Sequence, residues 1–378
     1  MEIRIRHIAA HALQALAVCA ACLVLCACSH DDVIGDEDIP GDIVQVGFRI
    51  RLSEEYGSRA AGTRADEAGV PFGYDDPAEY ETGTGYENYI GIAGRDFRFL
   101  LFDEYGHFVE TMTVLGIFSA DGSEYPSEYN VLCSLTEKPE APFRVVALAN
   151  WGAGNYPHDA DLTEGVTTIG WACGSGAYAY TPPAGAPFTP SAETPIPMYG
   201  VKTCSVSLEA GKNCYIGTIY LLRAMAKVEV VCREGAGLEL ASVTLSGYND
   251  KGFCAPYGME SNTSYVSGPH IPADAVTVND ATLGFRISEN KDRAVIYIPE
   301  YRNKGSDVTP CRLSVTFTDN EGMTYPVEFC EYENGKATDT RFDILRNVCY
   351  RFTVDKQTEF TVDVVPYGEK WLNPVFGL

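Results

Sequence analysis

Ile43-Val44-Gln45-Val46-Gly47-Phe48-Arg49-Ile50-Arg51-Leu52 is the stretch on which the fold turns. Val44, Val46, Phe48, Ile50 and Leu52 alternate with Gln45, Gly47, Arg49 and Arg51. A period of two places one set of side chains on a buried face and the other toward solvent, so the segment predicts a half-buried β-strand. The next segment, from Ser53 to Arg95, is polar, Gly-rich and Tyr-rich and reads as a long exposed loop, with arginines at Arg59 and Arg64.

Further strand-like runs lie at Phe97 to Asp103, His107 to Val114, Phe143 to Asn150, Val201 to Leu208 and Tyr215 to Leu222. A second series covers Ala226 to Cys232, Leu238 to Ser246, Thr282 to Ile287, Ala294 to Pro299, Cys311 to Thr318, Tyr325 to Cys330, Val348 to Val354 and Phe360 to Val365. Asn320-Glu321-Gly322, Asn334-Gly335 and Asn249-Asp250-Lys251-Gly252 supply residues that tolerate positive φ, and predict hairpin turns between these runs. No helix longer than about two turns is expected. The fold class is therefore all-β, with two tandem β-sandwich domains at 43–223 and 224–378; one larger sandwich with insertions is the alternative.

The first 27 residues belong to targeting. Arg4, Arg6 and His7 precede an apolar stretch from Ala9 to Ala27, the pattern of an export signal. Leu25-Cys26-Ala27-Cys28 closes it as a lipobox would, which makes Cys28 the lipid-bearing first residue of the mature chain, and residues 28–42 then read as a flexible tether. Of the 13 cysteines, those beyond Cys28 form no C-x-x-C pair, and several lie inside strand-like runs. Free, buried thiols are expected.

With 28 Lys+Arg against 52 Asp+Glu, the chain carries a formal charge of -24. Such a surface repels phosphate backbones, so nucleic acid is excluded as a partner. His30, His107, His158 and His270 fall in distant segments without zinc-binding spacing, and no metal or other cofactor is expected. There is no nucleophile elbow or phosphate loop. The many carboxylates make paired glycosidase acids uninformative, and the chain does not read as an enzyme. Trp151 and Trp171 could stack on sugar rings, which leaves a non-polymerising, glycan-binding surface lipoprotein as the alternative function.

The carboxyl end keeps a strand's pattern: Phe360, Val362 and Val364 alternate with Thr361 and Asp363, and Leu372, Pro374, Phe376 and Leu378 alternate again. Taken in order with the lipobox, with Tyr220 to Val230, with Leu345 to Val354 and with the closing Pro374-Val375-Phe376-Gly377-Leu378, the chain resembles the fimbrillin superfamily of Bacteroidetes, subunits of type V pili. The acidic run Ser29-His30-Asp31-Asp32 is similar to the export signal of their surface lipoproteins. The resemblance implies two transthyretin-like Greek-key sandwiches and an outer-membrane lipoprotein precursor that ends in a cell-surface fimbria. It also implies trimming by a surface Arg-specific protease and polymerisation by strand exchange with other fimbrial subunits, with a glycan or protein receptor. The matching bond is Arg64-Ala65, with Arg59-Ala60 second; the donor strand is drawn from Phe360, Val362 and Val364 or from Leu372, Phe376 and Leu378; shaft and tip both remain open.

Physically, Val44, Val46, Phe48, Ile50 and Leu52 form a removable plug, 43–64 being the segment lost. At roughly 1.5 to 3 kcal/mol per buried side chain, its loss forfeits roughly 8 to 15 kcal/mol gross, which a neighbour's strand can restore. A plug strand woven into the middle of a sheet and followed by a buried, inaccessible arginine would overturn that reading.

Overall fold

A computed structural model describes residues 43–52, 86–87, 90, 97–119, 128–151, 159–174, 179–180, 188–191, 193–258, 268–279, 283–320, 323–333, 336–356 and 359–366. The first strands are β1 (Val44–Leu52), β2 (Phe97–Phe102), β3 (Phe108–Thr111), β4 (Thr113–Ser119), β5 (Glu128–Leu135) and β6 (Phe143–Ala149). After a short helix α1 (Ile169–Gly174) come β7 (Ala179–Tyr180), β8 (Met198–Cys204) and β9 (Asn213–Arg223). The rest begins with β10 (Ala226–Cys232), β11 (Leu240–Ser246), β12 (Tyr248–Asn249), β13 (Gly252–Phe253), β14 (Thr277–Val278), β15 (Leu283–Gly284) and β16 (Arg286–Ile287). It ends with β17 (Arg293–Ile298), β18 (Arg312–Phe317), β19 (Tyr325–Glu328), β20 (Cys330–Glu333), β21 (Lys336–Arg341), β22 (Val348–Lys356) and β23 (Glu359–Pro366). The all-β reading holds.

The first eight long strands follow the order β3-β2-β6-β8-β9-β1-β5-β4. β8 and β9 share only the pairs Met198↔Arg223 and Tyr199↔Leu222. That narrow join lets the two halves of the sheet fold face to face, and one apolar cluster takes residues from both: Val46, Phe48 and Ile50 of β1 against Phe99, Val145 and Ala147 of β2 and β6. The Phe48 and Phe99 rings meet edge to face at 4.9 Å across this core, a geometry favoured by the ring quadrupoles.

The later strands form a five-stranded sheet, β16-β17-β10-β22-β23, and a four-stranded sheet, β15-β11-β18-β19. Their inner faces share a second core, with Val228, Ile296 and Phe352 from one sheet and Val243, Leu313 and Val315 from the other. A third cluster covers the outer face of β2-β6-β8 with Trp151, Ile169 and Ala172, joined by Cys254 and Ala255 from the later part of the chain.

Three expectations change in detail. The run from His107 to Val114 divides at Met112, where the chain leaves β2's edge for β5's edge as β3 gives way to β4. The run from Tyr325 to Cys330 divides at Phe329, because β19 pairs with β18 while β20 pairs with β21. Asn249 to Gly252 makes no hairpin: β12 pairs with β14, and β13 with β7. By contrast, β20 and β21 pair antiparallel up to Glu333↔Lys336; Asn334 and Gly335 themselves lie outside the described residues.

Candidate assembly site

β1 is an interior strand. Eight consecutive pairs, Val44↔Leu135 to Arg51↔Glu128, join it antiparallel to β5. On the other edge it runs parallel to β9, from Gln45↔Asn213 to Leu52↔Leu221. All five alternating residues lie in the first core, with Val46 and Ile50 fully buried and Phe48 1% exposed. Arg49 points to the other face and donates from Nε to Asn130 Oδ1 at 3.3 Å. Without β1, the backbone groups of β5 and β9 that it pairs with would lose their partners, and five apolar pockets would open between them. One of the two conditions that would overturn the plug reading is thus met, since the strand is interior. The other concerns Arg64, which with Arg59, Ala65 and Cys28, the residue expected to carry the lipid, lies outside the described residues.

The candidate donor residues are divided. Phe360, Val362 and Val364 fall in β23, an edge strand paired antiparallel with β22 from Val348↔Pro366 to Lys356↔Glu359. This register sets them opposite Val354, Phe352 and Tyr350, which line the second core. Leu372, Phe376 and Leu378 lie outside the described residues.

Between β1 and β2 the chain is fastened at Glu87 and Ile90. Ile90 enters the first core. The Glu87 carboxylate is buried beside Lys227 Nζ at 2.9 Å and accepts from Tyr297 OH at 3.0 Å, and its backbone carbonyl accepts from Arg223 Nε at 2.8 Å. Lys227 also meets Glu229 at 2.9 Å, and Arg351 holds Glu229 at 2.7 Å. Burial alone would push Lys227 down, but the Glu229 and Glu87 carboxylates outweigh it and raise the ammonium above its ordinary value. Burial would raise Glu229, yet Lys227 and Arg351 hold it well below the usual carboxylate range. Apart from Glu87, these charges come from the two stretches, 220–230 and 345–354, on which the resemblance is read. β10 and β22 lie side by side in parallel.

A second buried pair lies close by in sequence. Arg346, with no exposed surface, meets Glu300 Oε2 through Nε at 2.9 Å and NH2 at 2.8 Å. It also donates to the carbonyls of Cys254 at 2.6 Å and Phe253 at 2.9 Å. Glu300 accepts from the His270 backbone N–H at 3.0 Å. The His270 ring stacks on Phe253 at 4.0 Å, and its Nδ1 lies 2.9 Å from Ala255 O. Burial, then the charge of Arg346, depress the imidazole below its ordinary 6.5. A histidine depressed in the folded state binds its proton more readily when unfolded. Its stabilising contribution is therefore present above pH 6.5 and is lost as pH falls through the folded value. We expect Tm to fall as the buffer is taken below that point and the fall to be smaller in His270→Gln, as thermal melts across a pH series would test.

Trp151 does not serve the sugar-stacking role considered for it. It is 2% exposed, packs in the third cluster and donates from Nε1 to Met198 O at 2.8 Å. Trp171, on α1, is 44% exposed. The cysteines from Cys133 to Cys349 are free, and all but Cys214 are buried. Burial pushes the thiols of Cys204 and Cys254 up to about 12, so they act as small apolar residues rather than nucleophiles. Among the described residues, no group of three or more His, Cys, Asp or Glu could hold a metal ion, and no helix is long and apolar enough to cross a membrane.

Sequence reasoning missed β5, the antiparallel partner of β1. Tyr129, Val131, Cys133 and Leu135 do alternate, but Leu132 fills the intervening phase and Asn130 breaks the apolar appearance of the run. The buried charges carried no sequence signal, since Lys227 and Glu229 alternate with Val228 and Val230 as solvent-facing residues would.

No family model matches the sequence, and no curated protein does. Solved structures do match. A fimbrial assembly protein from Parabacteroides distasonis is similar at 14% identity and a TM-score of 0.45, over 85% of this chain and 99% of that one. The tip fimbrial protein Mfa3 from Porphyromonas gingivalis, solved with a carboxyl-terminal truncation, is similar at 12% identity over 86% of this chain and 100% of its own. At a TM-score of 0.52, the architecture built around β1 is similar to that of a tip fimbrial protein, and the resemblance read from the motifs holds at the level of fold.

Proposed function

We propose that this chain is a structural and adhesive subunit of a type V fimbria, without catalysis. It is exported as an outer-membrane lipoprotein on Cys28, trimmed at Arg64-Ala65 by a surface Arg-specific protease, and polymerised when another subunit's carboxyl-terminal strand replaces β1. Its sandwiches divide at 223 and 224. One observation supports this reading: a single segment at the mature amino end contributes five alternating side chains to one core, so its loss would leave pockets that a strand of matching alternation can refill. The stretch that ties this segment to the rest contains Arg59 and Arg64. β23 is hydrogen-bonded along β22, which favours Trp371 to Leu378 as the donor, because using β23 would take the edge strand from the five-stranded sheet.

The test is Arg-specific proteolysis of the purified full chain. Mass spectrometry should record loss of everything up to residue 64, followed by SDS-resistant, heat-sensitive ladders on gels. The doubly substituted Arg59→Ala, Arg64→Ala chain should stay uncut and monomeric. Trimmed protein that remains monomeric would overturn the proposal. The glycan-binding alternative retains the exposed Trp171, and loss of glycan-array binding in a folded Trp171→Ala variant would favour it.

A further inference from the structure

The pairing of β1 is regular on one side and irregular on the other. Along β5 the register advances residue for residue, with Phe48↔Val131 at its centre. Along β9 it shifts: Gly47 pairs with Tyr215, but Arg49 pairs with Thr218. Two residues of β9, Ile216 and Gly217, thus stand opposite the single residue Phe48. This is a bulge, and bulges are uncommon between parallel strands. Gly217 has φ +87, which a side chain rarely adopts, and a Cβ there would come within 3.3 Å of Lys202. The irregularity therefore belongs to β9 itself. Ile216 turns its side chain into the first core.

Phe48 is the largest of the five inward side chains of β1, and it occupies the position where β9 bulges and where Phe99 offers its ring. Val44 and Val46 fit on one side of it, and Ile50 and Leu52 on the other. A uniform groove would accept an alternating strand in several registers two residues apart, because each slip keeps the same face inward. Here the slots are unequal.

We infer that the Ile216–Gly217 bulge is a register key: the slot accepts an incoming strand in the register that sets its bulkiest apolar side chain opposite the bulge. This rests on the reading of β1 as a replaceable strand, and adds to it the residues that choose among donor segments. The key selects by a pocket that other apolar residues leave underfilled, and by crowding where a ring is offered to the slot of a valine. In the closing segment, Phe376 preceded by Leu372 and Pro374 presents such a residue at the right spacing.

The test uses the full chain, cut with Arg-specific protease that is then inhibited before excess fluorescent peptide is added, because the peptides carry Arg49 and Arg51. One peptide copies residues 43–52; a second has Val46 and Phe48 exchanged, which keeps composition and alternation and moves only the ring. The copy should bind at least about tenfold more tightly than the exchanged peptide, the scale of discrimination between unequal apolar pockets. In a chain lacking Gly217 that preference should shrink toward equality. Equal binding of both peptides to the wild-type slot overturns the key, as does an undiminished preference in a folded Gly217-deletion chain. Should that deletion fail to fold, the two peptides on the wild-type chain decide the matter. If neither peptide binds and mass spectrometry finds the cut strand still held, the replaceable-strand reading falls and takes the key with it.

Discussion

Truncation of Phe48 to alanine lowers the unfolding free energy of the uncut chain by about 3 to 5 kcal/mol, the range for a deeply buried phenylalanine. Phe48 is 1% exposed, and its ring lies 4.9 Å from that of Phe99. It sits mid-strand between two bonded neighbours, where the backbone can collapse little into the space left behind. Urea denaturation of Phe48→Ala should move the midpoint down with m unchanged, whereas Val114→Ala, at a side chain 38% exposed, should move it little. The same loss weakens the hold of the cut strand, so trimmed Phe48→Ala should release residues 43–64 sooner than wild type in timed mass spectra. A change below about 1 kcal/mol would mean that the core does not depend on this side chain.

Replacement of Arg346 by methionine costs about 3 to 5 kcal/mol, because it removes one partner of a buried pair and leaves the other charged. Arg346 has no exposed surface and Glu300 is 2% exposed. Without the guanidinium, Glu300 keeps a buried charge and the carbonyls of Phe253 and Cys254 lose the donors at 2.9 and 2.6 Å. Cys254 and Ala255 pack on the outer face of β2-β6-β8, so loosening should spread to that face and be read as faster amide exchange in 251–256 and 198–201. The double variant Arg346→Met, Glu300→Leu should regain part of the loss, since an apolar pair leaves no uncompensated charge. Equal instability of the single and double variants would assign the cost to the orphaned carbonyls instead.

What could be read from residues alone has a common character: each feature depends on which face of a segment is buried. Period-two alternation located β10 to the residue, β1 to within one residue and β22 to within two, because a strand packed on one side writes its burial into every second position. Burial on the second face leaves no such mark. The outer face of β10 and β22 carries Lys227, Glu229 and Arg351, which look solvated in sequence and are buried beneath Glu87, with Val295 and Tyr297 of the neighbouring β17 beside them in a small cluster with Ile196 and Met225. The side chains that cover a face are not encoded in the strand they cover.

Composition and alternation are local properties, and they were enough to place an amphipathic strand at 43–52, to make the fold all-β and to set the net charge against nucleic acid. Three features needed the folded chain: that this strand is interior, that it runs antiparallel to the unread β5 and parallel to β9 some 170 residues away, and that a bulge faces Phe48. Pairing and register arise from backbone groups that are alike in every residue, so the choice among partners is made by the packing of the whole chain.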